Sequence, residues 1–155
     1  MTIEKALLRL SALCAASEQC EADLRAKMQR WLMSDPDASQ VIGRLRAEGF
    51  IDDERYARAF CHDKARFNGW GRRKIAYQLA TKGIGKATIG IALQEVDDDQ
   101  QAQELERLLR AKARQMANRP AAQARAALLR FATSRGFEAD LAYRLTAKIL
   151  NDDDD

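Results

Sequence analysis

Apolar residues recur at helical spacing along nearly the whole chain. Leu24, Met28 and Leu32 step by four residues, and Ile75 and Leu79 repeat that interval. Such spacing places apolar side chains on one face of an α-helix. The closely spaced turn signals of a β-sandwich are missing, so the pattern predicts an all-α fold. The predicted helices cover residues 3–15, 21–33, 38–48, 53–66, 72–82, 86–95, 98–116, 121–134 and 138–150.

Glycine and proline mark the ends of the predicted helices. Gly49, Gly83 and Gly136 each follow a helix-forming run and precede an apolar residue. This arrangement is typical of a helix C-terminus, where the glycine follows the last helical residue and the next apolar side chain folds back onto the helix end. The segment Asp35-Pro36-Asp37 is expected to interrupt a helix, because proline lacks an amide donor and disfavours the helical conformation of the residue before it.

These signals superpose as a repeat of three helices. Lys82-Gly83-Ile84 corresponds to Arg135-Gly136-Phe137, and Leu24-x3-Met28 corresponds to Ile75-x3-Leu79. One such unit could hardly bury a core alone, whereas three packed in series could. We therefore predict repeats at residues 1–51, 52–97 and 98–150, followed by a mobile acidic tail at 151–155.

Charge is distributed in blocks. The net charge of +3 conceals two basic blocks, residues 44–92 at +6 and 107–148 at +8, separated by an acidic stretch at 93–106. Eighteen of the 26 basic residues are Arg, whose planar group suits bidentate contact with phosphate or carboxylate. The blocks indicate a polyanionic or acidic partner. For any single Arg, the alternative is a solvated helix face.

The residue types needed for most catalytic chemistry are scarce. The chain has one histidine, His62, and three cysteines without a CxxC pair. Composition therefore argues against an enzyme, and we assign no catalytic, cofactor-binding or metal-binding residue. No stretch is long enough to span a membrane, and Arg9 interrupts the apolar N-terminal segment, which favours an amphipathic helix over a signal peptide. We expect a cytoplasmic protein with reduced thiols.

The segment from Gly49 to Phe60 predicts a helix start. Asp52 or Asp53 can cap the new helix, and Tyr56 and Phe60, four residues apart, would form its buried stripe. The carboxylates of residues 52–54 cannot converge on a metal, since successive helical residues point in different directions.

A second segment carries candidate binding chemistry. Gly69-Trp70-Gly71 opens a helix with Arg72-Arg73-Lys74, which is typical of a phosphate-contacting element. Tyr77 should face outward, about 200° around the helix from Ile75. The alternative is that the two glycines form a tight connection between helices with Trp70 packed over it.

The sequence of these segments resembles the RecX family of recombinase regulators. The resemblance is carried by Phe50-Ile51-Asp52-Asp53-Glu54-Arg55-Tyr56-Ala57, then Asn68-Gly69-Trp70-Gly71, and a helix ending in Lys82-Gly83-Ile84. Two departures are Arg72 where the family has proline, and Cys20 where it has a capping serine, so that Ser17 or Asp23 would take over capping.

The resemblance implies an all-α, elongated array of three tandem three-helix repeats. It also implies a regulatory protein that binds the RecA filament in its helical groove and modulates its recombinase, ATPase and co-protease activities, usually by inhibition. Such proteins act in DNA repair, recombination and the SOS response. Whether this chain inhibits or assists, and whether it touches single- or double-stranded DNA in the filament, stays open. An extended monomer without a cofactor is the simplest expectation.

The residues proposed to contact the partner are basic or aromatic. They are Arg66, Trp70, Arg72, Arg73, Lys74, Tyr77, Lys82, Lys86, Arg125, Arg130 and Arg135. One alternative is a DNA-binding protein of helix-turn-helix type, with the helix starting at Arg72 in the major groove. Another is a helical scaffold with no nucleic-acid role. The tail would serve solubility, or would compete with polyanions for the arginines of the third repeat.

Overall fold

The computed structural model describes residues 1–153, which form nine α-helices and no strand. The predicted all-α fold is confirmed. The helices are α1 (Ile3–Ala16), α2 (Glu21–Arg30), α3 (Asp35–Ala47), α4 (Asp53–Phe67), α5 (Arg72–Thr81), α6 (Lys86–Leu93), α7 (Asp98–Arg114), α8 (Ala121–Ser134) and α9 (Ala139–Asp153). Within residues 1–153, no helix combines the length and apolar character needed to cross a membrane.

The helices pack as two compact units. Unit 1 contains Met1–Ala59 and Leu79–Ala92, and unit 2 contains Phe60–Gln78 and the chain from Leu93 onward. The three boundaries between the units fall within α4, between residues 78 and 79 of α5, and between residues 92 and 93 of α6. The division into three sequence repeats stays a prediction.

Unit 1 has a core built from α1, α2 and α3. Leu10, Leu24, Met28, Val41 and Leu45 are almost wholly buried in it. These positions lie three or four residues apart within each helix, so burying one face of each helix removes all of them from water. The apolar spacing of residues 24 and 28 therefore does identify the core side of α2.

Unit 2 has a separate core formed by α7, α8 and α9. Leu105, Leu109, Leu128, Phe137 and Ile149 are its most buried large side chains. Phe137 lies just past the end of α8 and is only 2% exposed. The helix end is therefore part of the core of this unit.

Three helices end as the glycine pattern predicts. Gly49, Gly83 and Gly136 have φ values of 78°, 82° and 86°, a conformation in which a side chain is strained. The amide of the following apolar residue donates to the carbonyl five residues earlier, as in a Schellman motif. These bonds run from Phe50 to Leu45 (2.8 Å), from Ile84 to Leu79 (3.1 Å) and from Phe137 to Ala132 (3.1 Å).

Three predicted helix boundaries differ from the structure by three residues. The helix α2 ends at Arg30 and not at residue 33. Asp35-Pro36-Asp37 does not interrupt a helix but forms the first turn of α3. Amides in the first turn have no acceptor within the helix, so the amide hydrogen that proline lacks is not needed there. Ser34 caps this turn, its hydroxyl accepting from the amide of Asp37 at 3.3 Å. At the other end of the chain, α9 continues to Asp153, three residues beyond the predicted end at 150. Asp154 and Asp155 of the predicted tail lie outside the described residues.

The start of α5 meets the end of α8 at very close range within unit 2. The amide of Gly71 donates to the carbonyl of Arg135 at 2.7 Å, and the amide of Arg73 donates to the carbonyl of Gly136 at 3.0 Å. A Cβ atom at position 71 would overlap the backbone of Gly136, and one at position 136 would overlap Lys74. Glycine is required at both positions for this approach.

We predict that Gly71→Ala destabilises the fold by about 1–3 kcal/mol, because the added methyl group must displace backbone. Gly43→Ala is the matched control: position 43 lies inside α3 with no atom within 4 Å of the new methyl group. That change should stabilise by about 0.5–1 kcal/mol, since alanine favours helix. Urea unfolding followed by circular dichroism measures both. Equal stability of Gly71→Ala and the native chain would contradict the close approach.

Candidate partner-binding groove

The amides at the start of α5 are already bonded within unit 2. Besides the bonds from Gly71 and Arg73 to α8, the amide of Arg72 donates to the side-chain oxygen of Gln101 at 3.2 Å. A phosphate therefore finds none of these three donors available. This agrees with the alternative of a tight connection between helices, while contact of the Arg72-Arg73-Lys74 side chains with phosphate stays a prediction.

Gln101 is a structural residue that the sequence analysis missed. Its side chain is 5% exposed, accepts from the amide of Arg72, and donates to the carbonyl of Trp70 at 3.3 Å. It occupies the same face of α7 as Leu105 and Leu109. In the sequence, this glutamine lies four residues before Leu105, on the apolar face of the helix. A polar residue on such a face indicates that it bonds to a buried polar group.

Arg72 and Lys82, two of the predicted contact residues, are held by ion pairs. Arg72 donates to the carbonyl of Val96 and forms an ion pair with Asp98 at 2.6 Å, leaving 22% of its side chain exposed. In unit 1, the ammonium group of Lys82 lies 3.0 and 3.1 Å from the two carboxylate oxygens of Asp23. Both cations therefore have structural roles.

Trp70 lies close to two cations and is half-buried. The ammonium groups of Lys64 and Lys74 lie 5.0 and 4.6 Å from the centre of its ring. Phe60 meets the same ring edge-on at 6.1 Å, and it is partly exposed rather than buried as predicted. These contacts orient the two lysine side chains along the aromatic surface.

A groove of about 340 Å³ runs between α5 and the end of α8. We call it the cationic groove. It is lined by Arg73, Lys74, Tyr77, Gln78, Thr133, Ser134, Gly136 and Phe137. Tyr77 is 67% exposed, which confirms that it faces outward. Arg73 is exposed and has no ion pair within residues 1–153.

Arg130 extends the cationic groove along α8. It precedes Ser134 by four residues, which places the two side chains side by side on the helix. Like Arg73, Arg130 is exposed and has no ion pair in the described part of the chain. The hydroxyls of Thr133 and Ser134 donate to carbonyls of their own helix, at 2.9 and 2.8 Å. Positive charge therefore dominates this surface.

The other predicted contact residues lie apart from the lining of the groove. Arg135 reaches over the ring of Phe131 and donates to the carbonyl of Asn68 at 3.2 Å. Arg66 lies over Phe67 at the end of α4, and Arg125 is exposed on α8. Lys86 is the first residue of α6 in unit 1.

The acidic segment before α4 is structural. The carboxylate of Asp52 accepts from the amide of Arg55 at 2.8 Å, which confirms one of the two predicted caps, while Asp53 pairs with Arg46 at 3.2 Å. The guanidinium of Arg55 pairs with Glu18 at 2.6 Å and donates to the carbonyl of Gly49 at 3.0 Å. These bonds join the end of α3 to the start of α4.

Glu21 connects two cations in unit 1. Its carboxylate lies 3.1 Å from Arg25 and 3.2 Å from Arg46. Burial opposes ionisation, but hydrogen bonds to the two guanidinium groups outweigh it and lower the pKa of Glu21. The ionised form is therefore favoured in the folded state.

The three cysteines are free thiols with raised pKa values. Burial raises the pKa of Cys61 to about 11, helped by the charge of Glu95. Burial also raises the pKa of Cys20 and Cys14. Within residues 1–153, no three His, Cys, Asp or Glu side chains come together to hold a metal ion.

The capping expected around Cys20 does not occur. Cys20 occupies the cap position of α2 but makes no side-chain cap hydrogen bond. Ser17 instead ends α1, and Asp23 lies in the first turn of α2, where its carboxylate holds Lys82. Acidic residues in this first turn still favour the positive end of the helix dipole.

The described residues combine an all-helical fold with a surface groove that Arg73 and Lys74 line. Residues 52–93 match the family model described as "RecX, second three-helix domain". The chain is 29% identical over 98 residues to a regulatory protein RecX from Mycobacterium sp. (strain JLS), covering 63% of this chain and 54% of that one. It is 34% identical over 91 residues to a regulatory protein RecX from Thermus thermophilus, covering 59% of this chain and 62% of that one.

The fold agrees with these matches. A crystal structure of a regulatory protein RecX superposes with a TM-score of 0.82 at 22% identity, covering 97% of this chain and 71% of the other. Residues 52–93 therefore match a domain of the RecX family, and the chain is similar to regulatory proteins RecX in sequence and in fold. The matched stretch spans about half the length of the first mycobacterial relative.

We predict that Glu21→Gln lowers stability at pH 7 by about 1 kcal/mol or less, because the ion pairs are partly exposed. Since the folded-state pKa lies below the usual 4.5, this stabilisation is complete above pH 4.5 and disappears as the pH falls through the folded-state value. Urea unfolding from pH 7 down to pH 3 follows the difference. Glu48→Gln, at an exposed carboxylate without an ion pair in residues 1–153, should not lower stability. A difference that persists undiminished at pH 3 would contradict the role of Glu21.

Proposed function

We propose that this chain binds the RecA recombinase filament and inhibits its strand exchange, ATPase and co-protease activities in DNA repair and recombination. The observation that carries the proposal is the match of residues 52–93 to the second RecX domain. That stretch includes Arg73, Lys74 and Tyr77 of the cationic groove. We further propose that the chain is organised as three repeats, of which this domain is the second.

Electrostatics support the choice of partner. A filament on single-stranded DNA contains the regularly spaced phosphates of the nucleic acid. Arg73 and Arg130 have no carboxylate partner of their own in the described part of the chain, so binding would not require breaking an existing ion pair. Contacts of this type release counterions and weaken with salt. Tyr77 adds an exposed ring on which a base or a planar side chain can stack.

The predicted contact residues divide into three groups in this proposal. Arg73, Lys74, Tyr77 and Arg130 touch the filament directly. Arg72 keeps the groove in shape through its bonds to the start of α7. The remaining candidates contribute at the margins; they are Arg66, Trp70, Lys82, Lys86, Arg125 and Arg135.

Inhibition in this proposal requires no chemistry by the regulator. The hydrolysed ATP belongs to the recombinase. A bound chain that occupies filament surface slows any step in which neighbouring protomers or DNA strands must move. The rate of ATP hydrolysis reports this effect directly, and a rise instead of a fall would identify an activator.

Helix-turn-helix recognition of DNA is less well supported. In that mode, the first turn of the recognition helix reaches base edges in the major groove. Here the first turn of α5 is bonded to the carbonyls of Arg135 and Gly136 at the end of α8. Equal affinity for random and selected duplexes in an electrophoretic assay is therefore expected.

We predict that Arg73→Glu/Arg130→Glu weakens cosedimentation with RecA–ssDNA filaments at least about tenfold at low salt and reduces the inhibition of ATP hydrolysis in parallel. The matched control is Lys5→Glu/Arg119→Glu. It reverses the same number of exposed charges that lack an ion pair within residues 1–153. This control should bind nearly as the native chain does.

The salt dependence of the same assay tests the nature of the contact. Each cation that touches a phosphate contributes about one to the slope of log affinity against log salt, so the double reversal should flatten that slope. Absence of cosedimentation of the native chain at any salt would overturn the proposed function. Equal losses in the two double variants would remove the cationic groove from the interface.

A further inference from the structure

Leu32 adopts a conformation that is costly for its residue type. Its φ is 61°, and it is the one non-glycine residue with positive φ in the described part of the chain. In this region the Cβ atom crowds the carbonyl group, so L-residues other than Asn and Asp rarely occupy it. The side chain of Leu32 is 92% exposed, so packing does not offset the backbone strain.

The strain occurs at a position where both other predicted repeats have glycine. The amide of Met33 donates to the carbonyl of Met28 at 3.1 Å, and the amide of Leu32 donates to that of Gln29 at 2.9 Å. The same bond pattern ends α5 at Gly83 and α8 at Gly136. Glycine would satisfy this turn without strain, so leucine here is not a requirement of the fold.

The surroundings of Leu32 have the composition of a protein interface. Trp31 is partly buried against the core of unit 1, and the guanidinium of Arg9 lies 5.7 Å from the centre of its ring. Lys27 and Arg30 add positive charge in the last turn of α2. These three cations have no carboxylate partner within residues 1–153. Arginine and aromatic residues are enriched in protein interfaces, and strained residues cluster at functional sites.

We propose that Leu32 is an apolar anchor that inserts into a carboxylate-bordered apolar pocket on a protomer of the recombinase filament. The partner rests on the proposed function; the anchor rests on the strained, exposed leucine. A leucine side chain offers phosphate neither charge nor a hydrogen bond, which favours a protein surface over nucleic acid. The cations around Leu32 pair with the carboxylates that border this pocket.

Leu32→Gly separates binding from stability, because the two properties should change in opposite directions. The melting temperature should rise by about 2–4 °C as the strain is relieved. Affinity for RecA–ssDNA filaments should fall about tenfold or more through loss of the buried side chain. Affinity for single-stranded DNA alone, and the sedimentation coefficient of the free chain, should not change.

Gly83→Leu is the matched control. It places a leucine at the equivalent position of α5, where φ is 82° and no atom lies within 4 Å of the added Cβ. It should lower the melting temperature by a similar amount and leave filament affinity unchanged. An unchanged melting temperature in either variant would overturn the strain argument.

The remaining outcomes identify which part of the proposal fails. A more stable Leu32→Gly chain with native filament affinity would overturn the anchor while leaving the proposed function intact. An equal loss of affinity for single-stranded DNA alone would identify nucleic acid as the occupant and overturn a protein pocket. Loss of self-association would identify a second copy of this chain instead. Failure of the native chain to bind filaments would overturn the proposed function, and with it the recombinase as the partner of Leu32.

Discussion

Two backbone hydrogen bonds join the start of α5 to the end of α8, and the cationic groove of unit 2 depends on them. The amides of Gly71 and Arg73 would otherwise be orphan donors of a helix N-terminus, and the carbonyls of Arg135 and Gly136 would be orphan acceptors of a helix C-terminus. Each set satisfies the other, and the positive N-terminal end of α5 meets the negative C-terminal end of α8. The bonds form only because glycine occupies positions 71 and 136.

This arrangement decides which cations remain available to a partner. Arg72 points toward α7 and is bound there, whereas Arg73, one residue further along the helix, faces the cationic groove. Adjacent arginines therefore have different roles because successive helical side chains diverge by about 100°. The number of basic residues in a segment is therefore larger than the number of charges available to a partner, since some of these residues form ion pairs within the protein.

Local features were predictable from the sequence, and contacts between distant residues were not. The helices, the glycine ends and the Asp52 cap depend on residues within about five positions of each other. The residues that bond to Arg72 lie 24 or more positions away in the sequence. Nothing in the sequence around Arg72 indicates them. Pro36 was misplaced because a proline before a helix and one in its first turn produce the same sequence signal.

The raised pKa values of the three thiols bear on how the protein responds to oxidants. Peroxide and electrophiles react with thiolate, and burial keeps Cys14, Cys20 and Cys61 in the thiol form at neutral pH. The chain is therefore poorly suited to sense oxidative damage through its own cysteines. Peroxide should therefore react slowly with these three thiols at neutral pH.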